Sequence, residues 1–386
     1  MSSIGVKEML PSLPRDCRRM VVCALGTYSK IGGLQNFNRR VIENLAKRAV
    51  ERGEHFPFVL IRGDEGASIP PIKGIDIAGL NNSLAFSAKA IWAGLTQANI
   101  FVICHINLLP LAAAVRCLRP KMPILLFVHG VEVWNNSSRR ERRWYESLFL
   151  RALTRIASVS SFTADTMARE FDVPRAKFRL LPNAVDQVKV SLRSNEREPA
   201  TILTVNRLAI ADREKNVDQM IRAVAKLKER LPAFRYEIVG DGALRPELDA
   251  LAKNLGVGDA VKFLGKVDDA ELRAAYARAT VFAMPSSKEG FGIVYLEAWQ
   301  RGLPVICSTQ GASKEVVADG IDGFVVDPTD VSMIADRLYV LLSQPELASA
   351  MGERGRQKVD EKYLNPAFRS NLDNIIDELR DEAARA

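Results

Sequence analysis

Short runs of consecutive apolar residues recur along the chain, and stretches with apolar positions at helical spacing separate many of them. Arg19–Leu25, Phe58–Ile61, Ile100–Cys104, Ile124–Val128 and Arg155–Val159 read as buried strands. A helical pattern runs from Leu34 to about Glu51 and stops at Gly53. Apolar runs spaced by helices predict a parallel sheet covered on both faces. After a polar, non-periodic stretch the series restarts with Ala200–Val205, Arg235–Val239, Val261–Leu264, Val281–Met284, Val305–Cys307 and Gly323–Val326. A helix over Asn216–Leu231 ends at Pro232. The predicted organisation is an N-terminal Rossmann-like domain over 1–190 that opens with a flexible arm at 1–18, a linker at 191–199, a second Rossmann-like domain over 200–367 and a closing helix over 368–386. Such doubly wound α/β domains bind ligands beyond the carboxyl ends of their strands, so the cleft between the two domains is the expected site.

Composition narrows the class. The chain has 386 residues, 47% hydrophobic and 26% charged, an ordinary globular balance. Its five cysteines are scattered, with no CxxC pair, which suits a reducing cytosol and argues against a zinc site or a disulfide framework. Three histidines leave no His-rich metal cluster. No signal peptide is expected, and the most apolar stretch, Phe101–Val115, is interrupted by His105, Asn107 and Pro110. The net charge of +8 is uneven. Residues 1–190 hold 27 lysines and arginines against 15 acids, whereas the remainder holds 27 against 31. A basic half suggests an anionic partner: membrane surface, nucleic acid or a phosphorylated substrate.

The strongest local signal is Ser287–Glu297. A strand ending at Pro285 leads into a loop with Gly290 and Gly292, and a helix begins near Ile293. Glycines there let backbone N–H groups approach a ligand, and a helix start favours an anion. Glu289 and Glu297, on loop and helix, can accept hydrogen bonds from two sets of hydroxyls; on spacing alone they read equally as surface carboxylates flanking a turn. Arg207 and Lys215 follow the first strand of the second domain, where two cations can neutralise a diphosphate or stand solvated. Gly32 and Gly33 precede a helix, as a phosphate cradle or a plain turn.

Glu289 to Glu297 matches the EX7E motif, and the chain from about 20 to 365 resembles retaining GT-B glycosyltransferases of family 4. The supporting pieces follow the family's order: Gly32-Gly33, Val128–Glu132, Leu181–Asp186, Val205–Leu208 with Lys215, Val239–Gly242, Phe263–Lys266 and Gly302–Val305. The resemblance implies two Rossmann-like domains facing across a cleft. It implies a nucleoside diphosphate sugar donor, UDP- or GDP-hexose, and a glycan or polyprenyl- or lipid-linked acceptor, in a setting of bacterial surface-polysaccharide assembly. By resemblance Glu289 meets the sugar hydroxyls, Glu297 the ribose, and Arg207 and Lys215 the diphosphate. His129 lies beside the donor sugar, Gly265, Lys266 and Val267 meet the base, and Phe291, Gly292 and Ile293 meet sugar or phosphate. Ala184, Asn206 and Gly311-Ala312 depart from the family's usual glycines. No Asp-x-Asp occurs, so no metal or other cofactor is expected. A GT-B sugar-nucleotide epimerase and a non-catalytic sugar-nucleotide-binding subunit are the alternatives.

Ser138–Arg155 begins with a capping-box pattern, Ser138 with Glu141, and predicts an amphipathic helix with arginines crowding its start. Arginines oppose the helix dipole there. With Arg39-Arg40 and Lys47-Arg48 they define a candidate surface for anionic lipid or a pyrophosphate-linked acceptor, the other reading being a core helix with a solvated arginine face. The expected location is cytoplasmic, at the inner face of the membrane. No nucleic-acid motif occurs, and aromatics do not interleave with the basic runs.

Overall fold

Buried runs of Val, Ile, Leu and Phe become strands because both faces of each central strand are covered. The computed structural model describes residues 18–30, 32–135, 140–188 and 200–385, so the linker at 191–199 and most of the 1–18 arm lie outside the described residues. The first sheet contains β1 (Arg19–Leu25), β2 (Phe58–Arg62), β3 (Asp76–Leu80), β4 (Ala98–Ile103), β5 (Ile124–Val128), β6 (Arg155–Ser158) and β7 (Phe178–Leu180). The second contains β8 (Ala200–Val205), β9 (Phe234–Val239), β10 (Val261–Gly265), β11 (Val281–Ala283), β12 (Val305–Ser308) and β13 (Gly323–Val326). All pairings are parallel, in the orders β3-β2-β1-β4-β5-β6-β7 and β10-β9-β8-β11-β12-β13. Strand order reverses beside β1 and β8, which opens a crevice at each carboxyl edge.

Two strands are invisible to the apolar-run pattern. β3 reads Asp-Ile-Ala-Gly-Leu and is half-exposed, and β7 is only three residues long. Both are edge strands, which need no continuous apolar run. The helix expected from Ser138 is shorter. It spans Glu146–Arg151, while Glu141 is exposed and outside any helix; Ser138 and Arg139 lie outside the described residues. The buried Glu146 carboxylate takes the Arg143 N–H at 2.9 Å and the Arg140 guanidinium, so Glu146, not Ser138, organises this start.

One apolar cluster joins the two domains. Phe37, Leu181, Ala184, Val185, Phe291 and Phe368 belong to it, and Phe37 stands edge-on to Phe127 and Phe368 at 5.6 and 5.4 Å. Burying such a ring contributes roughly 2–3 kcal/mol. The chain crosses back past Tyr363, whose carbonyl accepts the Val185 N–H at 2.9 Å. The terminal helix, Asn365–Arg385, then packs against the first domain. Its acids clasp basic residues of that domain: Arg48 meets Asp373 at 3.1 Å and also Asp377, Arg52 meets Asp377 at 3.0 Å, and Arg155 meets Glu378 at 3.0 Å and also Glu382. Arg48 is 1% exposed and also pairs with Glu54 at 3.0 Å.

Removing the guanidinium from this cluster leaves acids facing one another. Arg48→Met is expected to cost about 3 kcal/mol in urea unfolding, as for a broken buried pair. A loss under about 1 kcal/mol would show that solvent replaces the clasp. Burial alone would raise the Glu54 carboxyl, but the Arg380 and Arg48 bonds hold it below its ordinary 4.5, and Asp377 is likewise lowered from 3.8. Their contribution is therefore present above those values and is lost as pH falls below them. Arg48→Met is expected to flatten that acid limb.

Candidate functional site

The loops that leave β8 and β11 are stitched together. Glu214 O accepts the Ser287 N–H at 2.8 Å, and the Asn216 amide donates to Pro285 O and Ser287 Oγ, both at 2.7 Å. Lys288 reaches Glu214 at 2.6 Å. This stitching brings Lys215 Nζ to 2.6 Å from Glu289 Oε2, with both side chains largely covered. Arg207 behaves differently. Its side chain is 79% exposed and leans on Asp212 at 3.3 Å. Of the two expected cations, Lys215 is held in place and Arg207 projects into solvent.

Gly290 sits where the domains touch. A Cβ there would stand 2.3 Å from the His129 carbonyl oxygen, and one on Gly130 would stand 2.8 Å from the Gly290 Cα. Ser160 and Thr163 of the first domain place their hydroxyls 2.8 and 3.2 Å from the Gly290 carbonyl. Glu315 of the second domain accepts N–H bonds from Ser161, at 2.8 Å, and Phe162, at 2.5 Å, at the start of the helix Ser161–Phe171. A carboxylate is favoured at a helix N-terminus. Gly311 has φ +73 and a Cβ on it would lie 2.9 Å from Glu289 backbone atoms, whereas Ala312 (φ −84) and Ala184 carry no such demand. That explains why alanine stands at those two departures from the family pattern.

His129 follows β5 with its ring edge-on to Phe37 at 4.6 Å. Its Nε2 is covered and has no hydrogen-bond partner. Burial pushes the ring down to about 4, against a hydrogen bond with the Cys104 backbone that opposes the shift. The imidazole is therefore neutral at neutral pH and can act there as a hydrogen-bonding group but not as a cation.

Glu297 occupies a separate place. It lines a cavity of about 380 Å³ with Ile293 and, from the first domain, Phe37, Arg39 and Arg40; Glu289 is not part of this lining. Its Oε2 accepts from Tyr276 Oη at 3.0 Å, and burial raises its carboxyl, against lowering by Tyr276 and Arg301. Tyr276 lies on the helix Asp269–Arg278, which follows β10 and the loop carrying Gly265, Lys266 and Val267. Lys266 is exposed and Val267 half-buried. Phe291 points away, 4% exposed and edge-on to Tyr363 at 5.7 Å, so only its backbone faces the loop, and Gly292 precedes the helix Ile293–Trp299.

Gly32 and Gly33 open the helix Gly33–Arg52, which has no side-chain N-cap and no acid in its first turn. A Cβ on Gly33 would meet no protein atom within 4 Å. Sequence reasoning missed Ser160, Thr163 and Glu315, since no local motif pairs residues from different domains, and Tyr276, which meets Glu297 from another helix of the same domain. Asp64, also missed, is 1% exposed and accepts N–H bonds from Thr27, Tyr28 and Ser29. A Gly63-Asp64 pair at a strand exit was its one sequence signal. Among the described residues no cluster of three or more His, Cys, Asp or Glu could hold a metal ion, and no helix is long and apolar enough to cross a membrane.

Comparison with known proteins agrees with this geometry. The model described as Glycosyltransferase Family 4 matches residues 32–189, and that described as Glycosyl transferases group 1 matches residues 188–358. A GDP-mannose-dependent alpha-(1-6)-phosphatidylinositol monomannoside mannosyltransferase of Mycolicibacterium smegmatis is 36% identical over 218 residues, 52% of this chain and 56% of that protein. Its counterpart in Mycobacterium tuberculosis H37Rv is 35% identical over 247 residues, 60% of this chain and 63% of that protein. The match thus spans between half and two thirds of these relatives' length. Among solved structures, sucrose-phosphate synthase from Thermosynechococcus elongatus superposes with TM-score 0.75 at 19% identity, covering 94% of this chain and 99% of that one. The lipopolysaccharide outer core galactosyltransferase WaaB superposes with TM-score 0.71 at 18% identity, covering 93% and 99%. These likenesses show the two-domain GT-B fold.

His129 offers a direct check on the seam. Its folded value lies below the ordinary 6.5, so the stability it contributes is complete above that pH and is lost as pH falls from 6.5 towards 4. His129→Gln is expected to flatten the rise of unfolding free energy across that window. An unchanged slope would mean that the ring is hydrated.

Proposed function

Because the chain belongs to glycosyltransferase family 4, we propose that it transfers a hexose, of mannose type, from GDP-hexose to a lipid-linked glycan with retention of anomeric configuration. One observation carries the reading: the loop that holds Glu289 against Lys215 meets the His129-Gly130 loop of the first domain through its next residue, Gly290, backbone to backbone. An acid, a fixed cation and a neutral histidine are thus gathered where two domains meet. That is the chemistry for holding sugar hydroxyls beside a departing diphosphate.

In this reading Glu289 accepts hydrogen bonds from the hexose, and Lys215 meets the diphosphate, with the exposed Arg207 added from the solvent side. Both cations oppose the charge that builds on the leaving group, and cationic clamps of this kind act most strongly where water is excluded. Glu297 and Tyr276 hold the ribose, and the Gly265–Val267 loop borders the base. The Gly32-Gly33 amides face the same phosphates from the first domain, which suits a helix start without an acid. His129 stands beside the sugar as a neutral hydrogen-bonding group. No metal is assigned a role. The mannose and GDP assignments, and the lipid-linked acceptor, draw their support from the names of the mycobacterial relatives. Bacterial surface-glycan assembly at the cytoplasmic face of the membrane is the proposed setting.

Membrane contact falls to a smaller surface than the basic composition suggests. Arg48 is buried in the clasp, Arg40 pairs with Asp186, and Arg39 is bonded to the Thr27 and Lys30 carbonyls. Among the described residues of this segment, Trp144, 91% exposed, and Leu148, 66% exposed, are open to a lipid surface, with the exposed Arg142 and Arg143 beside them, bonded to the Glu170 carbonyl and the Tyr145 hydroxyl. An exposed aromatic with neighbouring arginines suits the boundary between headgroups and acyl chains.

Calorimetry with UDP- and GDP-sugars in EDTA tests the donor. GDP-mannose is expected to bind without metal and to bind at least about tenfold more weakly to Glu297→Ala, a loss of about 1.4 kcal/mol. Lys215→Ala is expected to lower kcat by roughly 100-fold or more with little change in melting temperature. No binding of any sugar nucleotide, or equal losses of activity and melting temperature, would sink the reading. Vesicles test the surface. The protein should co-sediment with anionic vesicles at low salt, less so as salt rises, and Trp144→Ser should release it. Equal binding to neutral vesicles, or none, would reject the contact.

A further inference from the structure

The loop that leaves β1 stands where strand order reverses, and among its described residues several polar backbone groups of Gly26–Lys30 are already engaged. The Thr27 and Tyr28 N–H groups donate to Asp64 Oδ2 at 2.9 and 2.7 Å. The Ser29 N–H and hydroxyl donate to Asp64 Oδ1 at 3.2 and 2.5 Å. Successive amides converging on an oxyanion form a nest of the kind that binds free anions. Here the anion belongs to the chain: a carboxylate 1% exposed, just beyond β2. On the other side of the loop Arg39 takes the carbonyls, with Nε to Thr27 O at 2.9 Å and Nη2 to Lys30 O at 2.8 Å. Its guanidinium lies 5.6 Å from the Tyr28 ring centroid.

Arg39 belongs to the helix Gly33–Arg52, the one whose first amides the proposed function turns toward the diphosphate. The loop is therefore gripped from both sides, by a carboxylate on its donors and by a guanidinium on its acceptors. Both grips are charge-assisted, stronger and better aligned than neutral hydrogen bonds. The amides of Gly32 and Gly33 stand outside the nest, at a helix start with no side-chain cap.

We propose that Asp64 and Arg39 are positioning residues of the transfer reaction: together they brace the first loop so that the Gly32-Gly33 amides are already aimed when charge develops on the leaving diphosphate. The inference rests on the donor-site reading above. Preorganised donors act on charge that is larger in the transition state than in the bound donor. Loosening the loop therefore lowers kcat more than it raises KM. Asp64 acts through the loop and touches no substrate. Its replacement by Asn keeps the size but turns an N–H toward other N–H groups.

Asp64→Asn and Arg39→Lys test the brace against wild type, with GDP-mannose and UDP-glucose as donors. Each is expected to lower kcat by about 10- to 100-fold while the donor KM stays within about threefold. Amide hydrogen exchange over 27–33 is expected to be at least about tenfold faster in both variants, with the rest of the first sheet still protected. Wild-type kcat in both variants, or unchanged exchange in the loop, overturns the brace. So does a fall in kcat that merely follows the folded fraction. Lys215→Ala separates the two ideas. If that variant is inactive while Asp64→Asn is fully active, only the brace fails. If Lys215→Ala is as active as wild type, the donor-site reading fails and the brace loses its role with it.

Discussion

The structure turns on the contact between two backbone loops, His129-Gly130 of the first domain and Glu289-Gly290 of the second. Neither Gly130 nor Gly290 tolerates a side chain there, because a Cβ on either would overlap backbone atoms of the other loop. That closeness fixes Gly290, the residue after Glu289, from both domains. Ser160 and Thr163 hold its carbonyl, Gly311 packs under Glu289, and Glu315 ties the adjoining helix start. Each bond is modest, but together they determine where the acid stands relative to the histidine.

Part of the charge asymmetry of the chain is met internally. Arg48, Arg52, Arg155 and Arg179 of the basic half face Asp373, Asp377, Glu378 and Glu382 of the terminal helix, which belongs to the acidic half. Some of what composition alone reads as a demand for an anionic partner is answered when the chain returns to its first domain. Ion pairs of this kind resist water poorly at the surface and well when covered. Arg48, almost wholly covered, is the centre of the clasp.

The two motif acids live in different electrostatic surroundings. Glu289 has a cation at hydrogen-bond distance, whereas Glu297 bonds the Tyr276 hydroxyl and has its carboxyl raised by burial, against lowering by Tyr276 and Arg301. An acid with a cation at hydrogen-bond distance takes part in charge-assisted hydrogen bonds. A desolvated one next to a tyrosine suits a neutral, hydroxyl-bearing group. The divergence follows from position: one acid is on the loop at the domain contact, the other one helical turn inside, beneath the helix that follows β10.

Apolar runs and their spacing were enough to identify the two parallel-sheet domains, because a strand covered on both faces must be continuously hydrophobic. The same physics hid β3 and β7, whose edge positions remove that requirement. The Glu289–Glu297 spacing, Arg207, Lys215 and the Gly32-Gly33 turn were all readable as motifs, since backbone approach and charge placement impose residue types at short range. Tertiary structure alone decided that Lys215 is largely covered while Arg207 is exposed, that the helix begins at Glu146, and that Ser160 and Glu315 bridge the domains. Those outcomes depend on groups far apart in the chain competing for the same donors and acceptors. Only the folded arrangement of both domains resolves that competition.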